Sequence, residues 1–158
     1  MGKALRRAAL WNKYLRGEVE IPSSLRGLSG APWTIGFGNT GSHIFPGLVW
    51  TPQQCEEGLQ YTLGEIEHAI VTQLLKRTPT VKQLAAMISF AYNVGLDIDA
   101  DSKAEGLGDS TLLRKFNAGD IEGAANAFLS WVYAQGEESE GLKKRRRIER
   151  HVFLGGSP

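Results

Sequence analysis

The residues with the greatest chemical potential lie between Ala31 and Gly41, where aromatic, hydroxyl, amide and glycine residues follow one another without helical spacing. Apolar residues alternate there with small or polar ones, and this period of two predicts a short β-hairpin with one apolar face. The apolar positions are Trp33, Ile35 and Phe37, and the open positions are Thr34, Gly36 and Gly38. Glycines on the open face would let another molecule approach the backbone. We expect a binding-site wall here, with an edge hairpin packed on the core as the alternative.

The remaining sequence shows no clear spacing for metal or nucleophilic chemistry. The three histidines, His43, His68 and His151, are scattered without a partner at ligand spacing, so we expect no metal and no cofactor. Cys55 is the single cysteine, which excludes an internal disulfide. A thiol nucleophile with His43 as its base is an alternative, but Cys55 lies in a predicted helix start and better fits a packed position.

The formal net charge of +1 argues against a generally basic protein that binds nucleic acid. Basic residues are nevertheless concentrated in one run, Lys143 to Arg147. We interpret this run as a solvated helix face, because neighbouring acidic loops lower the local field and no aromatic platform accompanies it. Such a face would also attract an anionic surface, and a nucleic-acid-binding module is the weaker alternative.

A length of 158 residues fits one domain, or two small lobes that share a helix. We predict a mostly helical α+β fold in a single domain over 1–158. It comprises an N-terminal helix and hairpin lobe at 1–50, a connecting helix at 51–77 and a helical lobe at 78–158. Capping residues ahead of apolar periodic runs predict helix starts at Thr51, at Thr80, at Ser110 or Asp109, and at Asp120. Acidic surface loops are predicted near 97–108 and 136–141, and a basic last helix at 142–153.

Neither a signal peptide nor a membrane span is predicted. The apolar run Ala8–Leu10 is too short for a signal peptide. No segment approaches the roughly 18 apolar residues that are needed to cross a bilayer. We therefore expect a protein that folds in the cytoplasm and does not insert stably in a membrane.

Several ordered motifs resemble those of phage-type lysozymes. The stretch Trp33–Gly41 resembles the family signature Trp-Thr-Ile-Gly-Tyr-Gly-His-Thr. Later stretches resemble, in order, the start of the family's long interlobe helix, the end of its central helix, its next helix and its basic terminal helix: 51–57, 90–95, 110–120 and 141–150. The resemblance implies a lysozyme-like two-lobe fold, in which a small β-hairpin lobe and a helical lobe are joined by a long helix. It also implies a glycan cleft between the lobes.

The same resemblance implies an endolysin, a muramidase of bacterial peptidoglycan. Such an enzyme hydrolyses the β-1,4 bond between N-acetylmuramic acid and N-acetylglucosamine, which requires a carboxylic acid for the leaving oxygen and a group that handles the water. Thr34 stands at the family's threonine, which is thought to help place this water. Three upstream serines, Ser23, Ser24 and Ser29, are further candidates for placing it.

The catalytic carboxylates depart from the family pattern. Counting back from the threonine by the family spacing places them at Val19 and Leu28, neither of which can do proton chemistry. We expect Glu18 to be the general acid, because it lies nearest the end of the first helix, with Glu20 as the alternative. No acidic residue occurs within 21–32, so the second carboxylate is not identified. Solvated loop charges are the alternative interpretation of both glutamates.

The predicted saccharide-binding residues are Thr40, Tyr92, Asn93, Ser110, Thr111 and Asn126. Their aromatic, hydroxyl and amide groups suit ring stacking and hydrogen bonds to acetamido groups, although core or capping roles would explain them almost as well. Asn39 stands where many relatives carry histidine, and we expect it to make a structural hydrogen bond.

Two functions follow from this pattern. The leading one is a peptidoglycan hydrolase that causes cell lysis. The alternative is a catalytically weak or inactive lysozyme-fold protein that binds glycan or belongs to the virion, because the second carboxylate is missing. We expect a monomer with peptidoglycan and no nucleic acid as its partner, held in the host cytoplasm before lysis.

Overall fold

The computed structural model of the protein describes residues 34–39, 44, 47–99, 101 and 103–158. The chain divides into two compact units, an N-terminal unit of Met1–Thr62 and a C-terminal unit of Leu63–Pro158. The predicted first helix, both candidate acids, Glu18 and Glu20, and the predicted saccharide-binding residue Thr40 lie outside the described residues. The same holds for the three upstream serines and for His43.

Helices dominate the described part of the chain, and the predicted mostly helical α+β class is confirmed. The helices are α1 Pro52–Ala69, a π-helical segment Ile70–Leu74 that continues it, α2 Val81–Val94, α3 Thr111–Asn117, α4 Ile121–Ala127, a 3-10 turn Phe128–Ser130, and α5 Glu140–Phe153.

Side-chain caps begin these helices where the sequence predicts them. Thr51 and Gln54 form a reciprocal capping box, with bonds of 3.2 Å and 2.8 Å, and Thr80 and Gln83 form another. Such caps bind backbone N–H groups that have no partner inside the helix. The remaining caps are Ser110 for α3, Asp120 for α4 and Ser139 for α5. The four predicted starts are confirmed, and α5 begins two residues before the predicted 142 because Ser139 caps it.

The connecting helix ends before the predicted position near 77. Its α-helical part stops at Ala69, and a π-helical turn follows, in which the Leu75 N–H donates to the Ile70 carbonyl over 3.1 Å. The side chain of Asn117 on α3 binds backbone groups at the end of the π-helical turn and just after it. Its Nδ2 donates to the Leu74 carbonyl over 3.0 Å, and its Oδ1 accepts from the Lys76 N–H over 2.9 Å. The helix can end early because these backbone groups find partners on α3.

The strands of the described chain lie outside the predicted hairpin. Tyr133–Ala134 (β1) and Glu137–Glu138 (β2) form a two-stranded antiparallel sheet, with Tyr133 opposite Glu138. Gln135 and Gly136 have φ angles of 54° and 84°, as a two-residue turn between antiparallel strands requires. The prediction of an acidic loop over 136–141 is therefore wrong in its first residues, where the chain completes a hairpin.

The stretch predicted as a hairpin forms a tight turn in the N-terminal unit. Ile35 and Asn39 exchange two backbone hydrogen bonds of 3.0 Å, and Gly36 and Gly38 turn the chain between them with φ angles of 62° and 98°. Phe37 lies in the turn and is 58% exposed. The predicted alternation of faces is wrong beyond Ile35, because the two glycines reverse the chain direction.

Aromatic rings form the centre of the core of the C-terminal unit. Phe90 on α2 packs edge to face on Phe128 and Trp131, with ring centroids 5.4 and 5.3 Å apart. Phe153 on α5 makes similar contacts with Phe128 and Phe116, at 5.4 and 6.0 Å. Each such pair contributes about 0.5–1.5 kcal/mol beyond its area burial. These contacts hold α2 and α5 against a shared core.

Candidate functional site

Thr34 lies exposed beside the 35–39 turn. Asn39 ties this turn to α1, because its Nδ2 donates to the Gly58 carbonyl over 3.0 Å and to the Thr62 hydroxyl over 2.8 Å. Asn39 is only 8% exposed, so these bonds are shielded from water. The expectation of a structural hydrogen bond at Asn39 is confirmed. Thr34 therefore stands next to a segment with a fixed attachment.

Close packing explains a glycine and the cysteine beside this turn. A Cβ on Gly58 would lie 2.8 Å from a carbon of the Trp50 ring, which is closer than any ordinary contact. A Cβ on Gly36 would lie 3.2 Å from the Cβ of Cys55. Gly58 thus permits contact between α1 and Trp50, and the partly buried Cys55 occupies the packed position that the sequence predicts.

Tyr92 and Asn93 lie in the last turn of α2, in the C-terminal unit. Tyr92 is partly buried, while Asn93 is exposed. The Oδ1 of Asn93 accepts a hydrogen bond from Nη2 of Arg146 on α5. This bond orients the amide and leaves its Nδ2 without a hydrogen bond to any described residue.

Arg146 is the most buried charged residue of the described chain, at 0% exposure. Its Nη1 donates to Oε2 of Glu149, which is 4% exposed. Its Nε donates to the Trp131 carbonyl over 2.9 Å, and its guanidinium lies 4.9 Å from the centre of the Phe90 ring. Every nitrogen of the Arg146 guanidinium therefore has a hydrogen-bond partner. Burying a charged group is costly unless it is hydrogen-bonded in this way.

Glu149 is bound from two further directions. Nε of Arg145 and the Ser89 hydroxyl donate to its Oε1 over 3.0 and 2.7 Å. The interpretation of Lys143 to Arg147 as one solvated face is wrong, because Arg146 points into the core. Helical spacing was the available signal, since positions 142, 146, 149 and 153 fall on one side of a helix.

The other predicted saccharide-binding residues have different surroundings. Ser110 is 1% exposed, and its hydroxyl donates to the Leu107 carbonyl over 2.7 Å and accepts from the Leu113 N–H over 3.1 Å. The hydroxyl of Ser110 is thus used by the α3 cap. Thr111 and Asn126 are exposed. Oδ1 of Asn126 accepts from Nε of Arg150 over 3.0 Å, one turn of α5 beyond Arg146.

Carboxylates gather in the loop that precedes α3. Oxygen atoms of Asp97, Asp99 and Asp109 lie within 4.8 Å of one another. Asp97 accepts from the N–H groups of Glu105 and Gly106, both over 2.9 Å. Oxygen donors of this kind suit hard cations, and a search based on histidine and cysteine spacing does not find them. The alternation of aspartates from 97 to 101 was the available signal.

Asp109 differs from its neighbours in lacking a partner. Its Oδ2 is buried and accepts no hydrogen bond from any described residue. Burial raises the pKa of the Asp109 carboxyl above its usual value, and the negative charges of Asp97, Asp101 and Asp99 raise it further. One oxygen of this carboxyl is therefore buried without a hydrogen-bond donor among the described residues.

A cavity of about 620 Å³ opens beside Asp109. We call it the α3 cavity. Its lining residues, from the end of the π-helical segment and from the region of α3, are Gln73, Leu74, Lys76, Gly108, Asp109, Ser110, Leu113, Arg114, Asn117 and Ala118. Both charge signs are present in this lining.

Comparison with known proteins identifies the family. Residues 22–149 match the family described as phage lysozyme. The chain belongs to the phage lysozyme family. It is 41% identical over 124 residues to the endolysin of Bacillus phage B103, a match that covers 78% of this chain and 44% of that protein. It is 37% identical over 123 residues to the SAR-endolysin of Bacteriophage PS119, covering 78% of this chain and 68% of that protein.

A solved phage lysozyme-type structure agrees with this assignment. The endolysin from Escherichia coli O157:H7 phage FAHEc1 superposes with a TM-score of 0.64 at 29% identity, covering 95% of this chain and 92% of that one. The predicted family and lysozyme-like fold are confirmed. The prediction of a hydrolase of the muramidase class is confirmed at the level of the family. The chain spans less than half the length of the B103 endolysin.

None of the helices described for this phage lysozyme combines the length and apolarity that crossing a membrane requires. The described site residues fall into two groups. Thr34 belongs to the N-terminal unit, and the C-terminal unit brings Asn93 and Asn126 onto arginines of α5.

Proposed function

We propose that this phage lysozyme is a peptidoglycan hydrolase of the endolysin type. It cleaves the β-1,4 bond between N-acetylmuramic acid and N-acetylglucosamine and so lyses bacterial cells. The observation that carries the proposal is the family match over residues 22–149, joined to relatives that are named endolysins. The inactive glycan-binding alternative rests on the second carboxylate, which the sequence does not identify.

In the proposed mechanism, Glu18 protonates the leaving glycosidic oxygen, with Glu20 as the alternative acid. A general acid must hold a proton at the working pH and give it up as the bond breaks. Thr34 places the attacking water with its hydroxyl. Two observations support Thr34: it is exposed, and it lies next to a turn that Asn39 anchors to α1. The anchored turn limits the movement of the neighbouring backbone.

We propose that Tyr92, Asn93, Thr111 and Asn126 contact the saccharide, together with Thr40. Tyr92 supplies an aromatic face, which suits stacking on a sugar ring. Because Arg146 binds Oδ1 of Asn93, the Nδ2 of this amide is oriented and can donate to an acetamido carbonyl. Asn126 is oriented in the same manner by Arg150. Arg146 acts through Asn93 and is a positioning residue.

The experiment measures solubilisation of purified peptidoglycan by the wild type and by Glu18→Gln, Glu20→Gln and Thr34→Ala. Glu65→Gln, an exposed glutamate on α1, is the matched control. Loss of the general acid should slow solubilisation by roughly 100-fold or more, and loss of the Thr34 hydroxyl should slow it by a smaller factor. Glu65→Gln should retain the wild-type rate.

The outcomes separate the proposals. A loss confined to Glu20→Gln would transfer the role of acid from Glu18 to Glu20. Peptidoglycan that is bound by the wild type but never solubilised would contradict the enzymatic proposal and support the inactive alternative.

We also propose that the protein acts as a monomer, is held in the host cytoplasm until lysis and does not insert stably in a membrane. Sedimentation velocity at micromolar concentration should give a single species with the mass of one chain. Fractionation of producing cells before lysis should recover the protein apart from the membranes. A dimer, or recovery with the membranes, would contradict these statements.

A further inference from the structure

Tyr133 on the β1–β2 hairpin is the most exposed aromatic side chain among the described residues, at 61%. Its position is nevertheless fixed. The sheet pairs Tyr133 with Glu138, and the Tyr133 hydroxyl donates to Oε1 of Glu138 over 3.2 Å. Oε2 of the same carboxylate forms an ion pair with Lys143 over 2.5 Å. The ring is therefore held at its backbone end and at its hydroxyl end, while most of the residue remains in contact with solvent.

The base of this hairpin is attached to α5. The N–H of Ser139, the cap of α5, donates to the Val132 carbonyl over 2.8 Å, and Val132 is only 8% exposed. Just before the hairpin, the Trp131 carbonyl accepts from Nε of the buried Arg146 over 2.9 Å. Tyr133 therefore lies on a hairpin that is bound to the helix on both sides of its turn.

The hairpin lies at the same end of the C-terminal unit as the proposed saccharide contact Asn93. Lys82, at the start of α2, donates to the carbonyl of Gly155, just after α5, over 2.7 Å. About two turns further along α2, the Ser89 hydroxyl donates to Glu149 within α5 over 2.7 Å. The two helices therefore run antiparallel. The end of α2, which carries Asn93, lies beside the first part of α5, and the hairpin directly precedes that part.

A single guanidinium joins the hairpin to Asn93. Nη2 of Arg146 donates to Oδ1 of Asn93, and Nε of the same side chain donates to the Trp131 carbonyl. Tyr133 follows Trp131 by two residues, which an extended chain covers in about 7 Å. Because the glycan of peptidoglycan is a linear polymer, a strand bound at Asn93 extends over the neighbouring surface of the unit and reaches Tyr133.

A fixed and exposed aromatic ring suits the binding of a sugar. A pyranose ring has a face of C–H groups, which loses contact with water when it packs on an aromatic face. A ring that is already held in place loses little conformational entropy when the sugar binds. The charges beside Tyr133 do not select an ionic ligand instead, because Glu138 and Lys143 neutralise each other.

We propose that Tyr133 is a specificity-determining residue of the saccharide site, and that its ring stacks on a sugar of the strand that Asn93 contacts. The proposal rests on the proposed function, because it assigns a further contact to the same substrate. The ligand of Tyr133 is the glycan and not the peptide stem.

The test measures, by calorimetry, the binding of an oligomer of β-1,4-linked N-acetylglucosamine to the full chain. This probe lacks N-acetylmuramic acid, so it contains no bond of the kind that the proposed activity cleaves. Tyr133→Leu removes the ring and should weaken binding roughly three- to tenfold, whereas Tyr133→Phe should stay within about twofold of the wild type. Tyr61→Leu, which changes an exposed tyrosine of α1, is the matched control and should leave the affinity unchanged.

Proton NMR of the bound oligomer distinguishes contact with the ring from support of the hairpin. Sugar protons that lie over an aromatic face should move upfield in the wild-type and Tyr133→Phe complexes but not in the Tyr133→Leu complex. Thermal unfolding of each variant identifies a loss of binding that reflects a loss of folding. Equal losses of affinity in Tyr133→Phe and Tyr133→Leu would assign the effect to the hydroxyl bond with Glu138 and overturn the proposal.

Three further results would also overturn it: an oligomer that the wild type does not bind, an unchanged affinity in Tyr133→Leu, or displacement of the oligomer from Tyr133 by free stem peptide. On purified peptidoglycan, Tyr133→Leu should raise KM and leave kcat unchanged. Binding that depends on the ring, in a protein that never solubilises peptidoglycan, would reject the proposed function alone. Solubilisation with unchanged KM and unchanged oligomer affinity in Tyr133→Leu would reject the role of Tyr133 alone.

Discussion

In the C-terminal unit, the Arg146–Glu149 pair and the Oδ2 atom of Asp109 are both buried, but they differ in their hydrogen bonding. Arg146 donates to Glu149, Asn93 and the Trp131 carbonyl, and Glu149 accepts from Arg145 and Ser89 as well. Oδ2 of Asp109 has no hydrogen bond from a described residue, although it is buried.

The difference in hydrogen bonding predicts different effects on stability. A buried ion pair whose donors and acceptors are all hydrogen-bonded holds neighbouring elements in one arrangement. Removing one partner leaves the other buried without its counter-charge, which destabilises the fold. A buried carboxyl oxygen that accepts no hydrogen bond destabilises the fold instead. Substitution in the first region should therefore lower stability, and substitution of Asp109 should raise it at neutral pH.

Removing Arg146 should have the largest effect on folding. In Arg146→Met, Glu149 and Asn93 each lose a donor inside the protein, so the free energy of unfolding should fall by about 3–5 kcal/mol. Urea denaturation measures this change. Arg147→Met, an exposed neighbour on α5, is the control and should change it by less than about 0.5 kcal/mol. Similar losses in both variants would show that the buried pair has no special role.

Ser110→Ala should have an intermediate effect. Its hydroxyl caps α3, and the loss of a cap costs about 1 kcal/mol. Because the hydroxyl is buried in the cap, we expect no change in KM for peptidoglycan. Thr111→Ala should behave in the opposite way, with a raised KM and little change in stability, since Thr111 is exposed. An unchanged melting temperature in Ser110→Ala would contradict the capping role.

Asp109→Asn should have the smallest effect, and it depends on pH. The folded protein raises the pKa of Asp109 above 3.8, so the folded state binds the proton more tightly than the unfolded state. The stability contributed by this carboxyl is present below that value and is lost as the pH rises through the folded-state pKa. The variant should melt above the wild type at pH 7 and lose this advantage at pH 3. A lower melting temperature of the variant at pH 7 would show that the Asp109 carboxylate stabilises the fold.

Local chemistry explains what the sequence predicted correctly. Thr51, Thr80, Ser110 and Asp120 were recognisable as caps because each side chain binds a backbone group three residues away. The family signature at 33–41 likewise needed only neighbouring residues. Such features depend on contacts within one turn of chain, so the sequence displays them directly.

Contacts between distant segments explain what was missed. The early end of the connecting helix depends on Asn117, more than forty positions away from Leu74. Burial of Arg146 depends on Phe90 and Asn93, and nothing in a run of five basic residues distinguishes Arg146 except its helical spacing. The β1–β2 hairpin turns at Gln135, a residue type that rarely adopts positive φ. The α3 cavity likewise joins segments that are remote in sequence.

The proposed muramidase activity should leave N-acetylmuramic acid at each new reducing end of the glycan. Its most direct test is a digest of purified peptidoglycan that is reduced with borohydride and then analysed by mass spectrometry. Reduced N-acetylmuramic acid is expected at the new ends of every soluble fragment, and none when Glu18 and Glu20 are both changed to Gln. New ends that carry reduced N-acetylglucosamine, or fragments freed only by cleavage of peptide bonds, would contradict it.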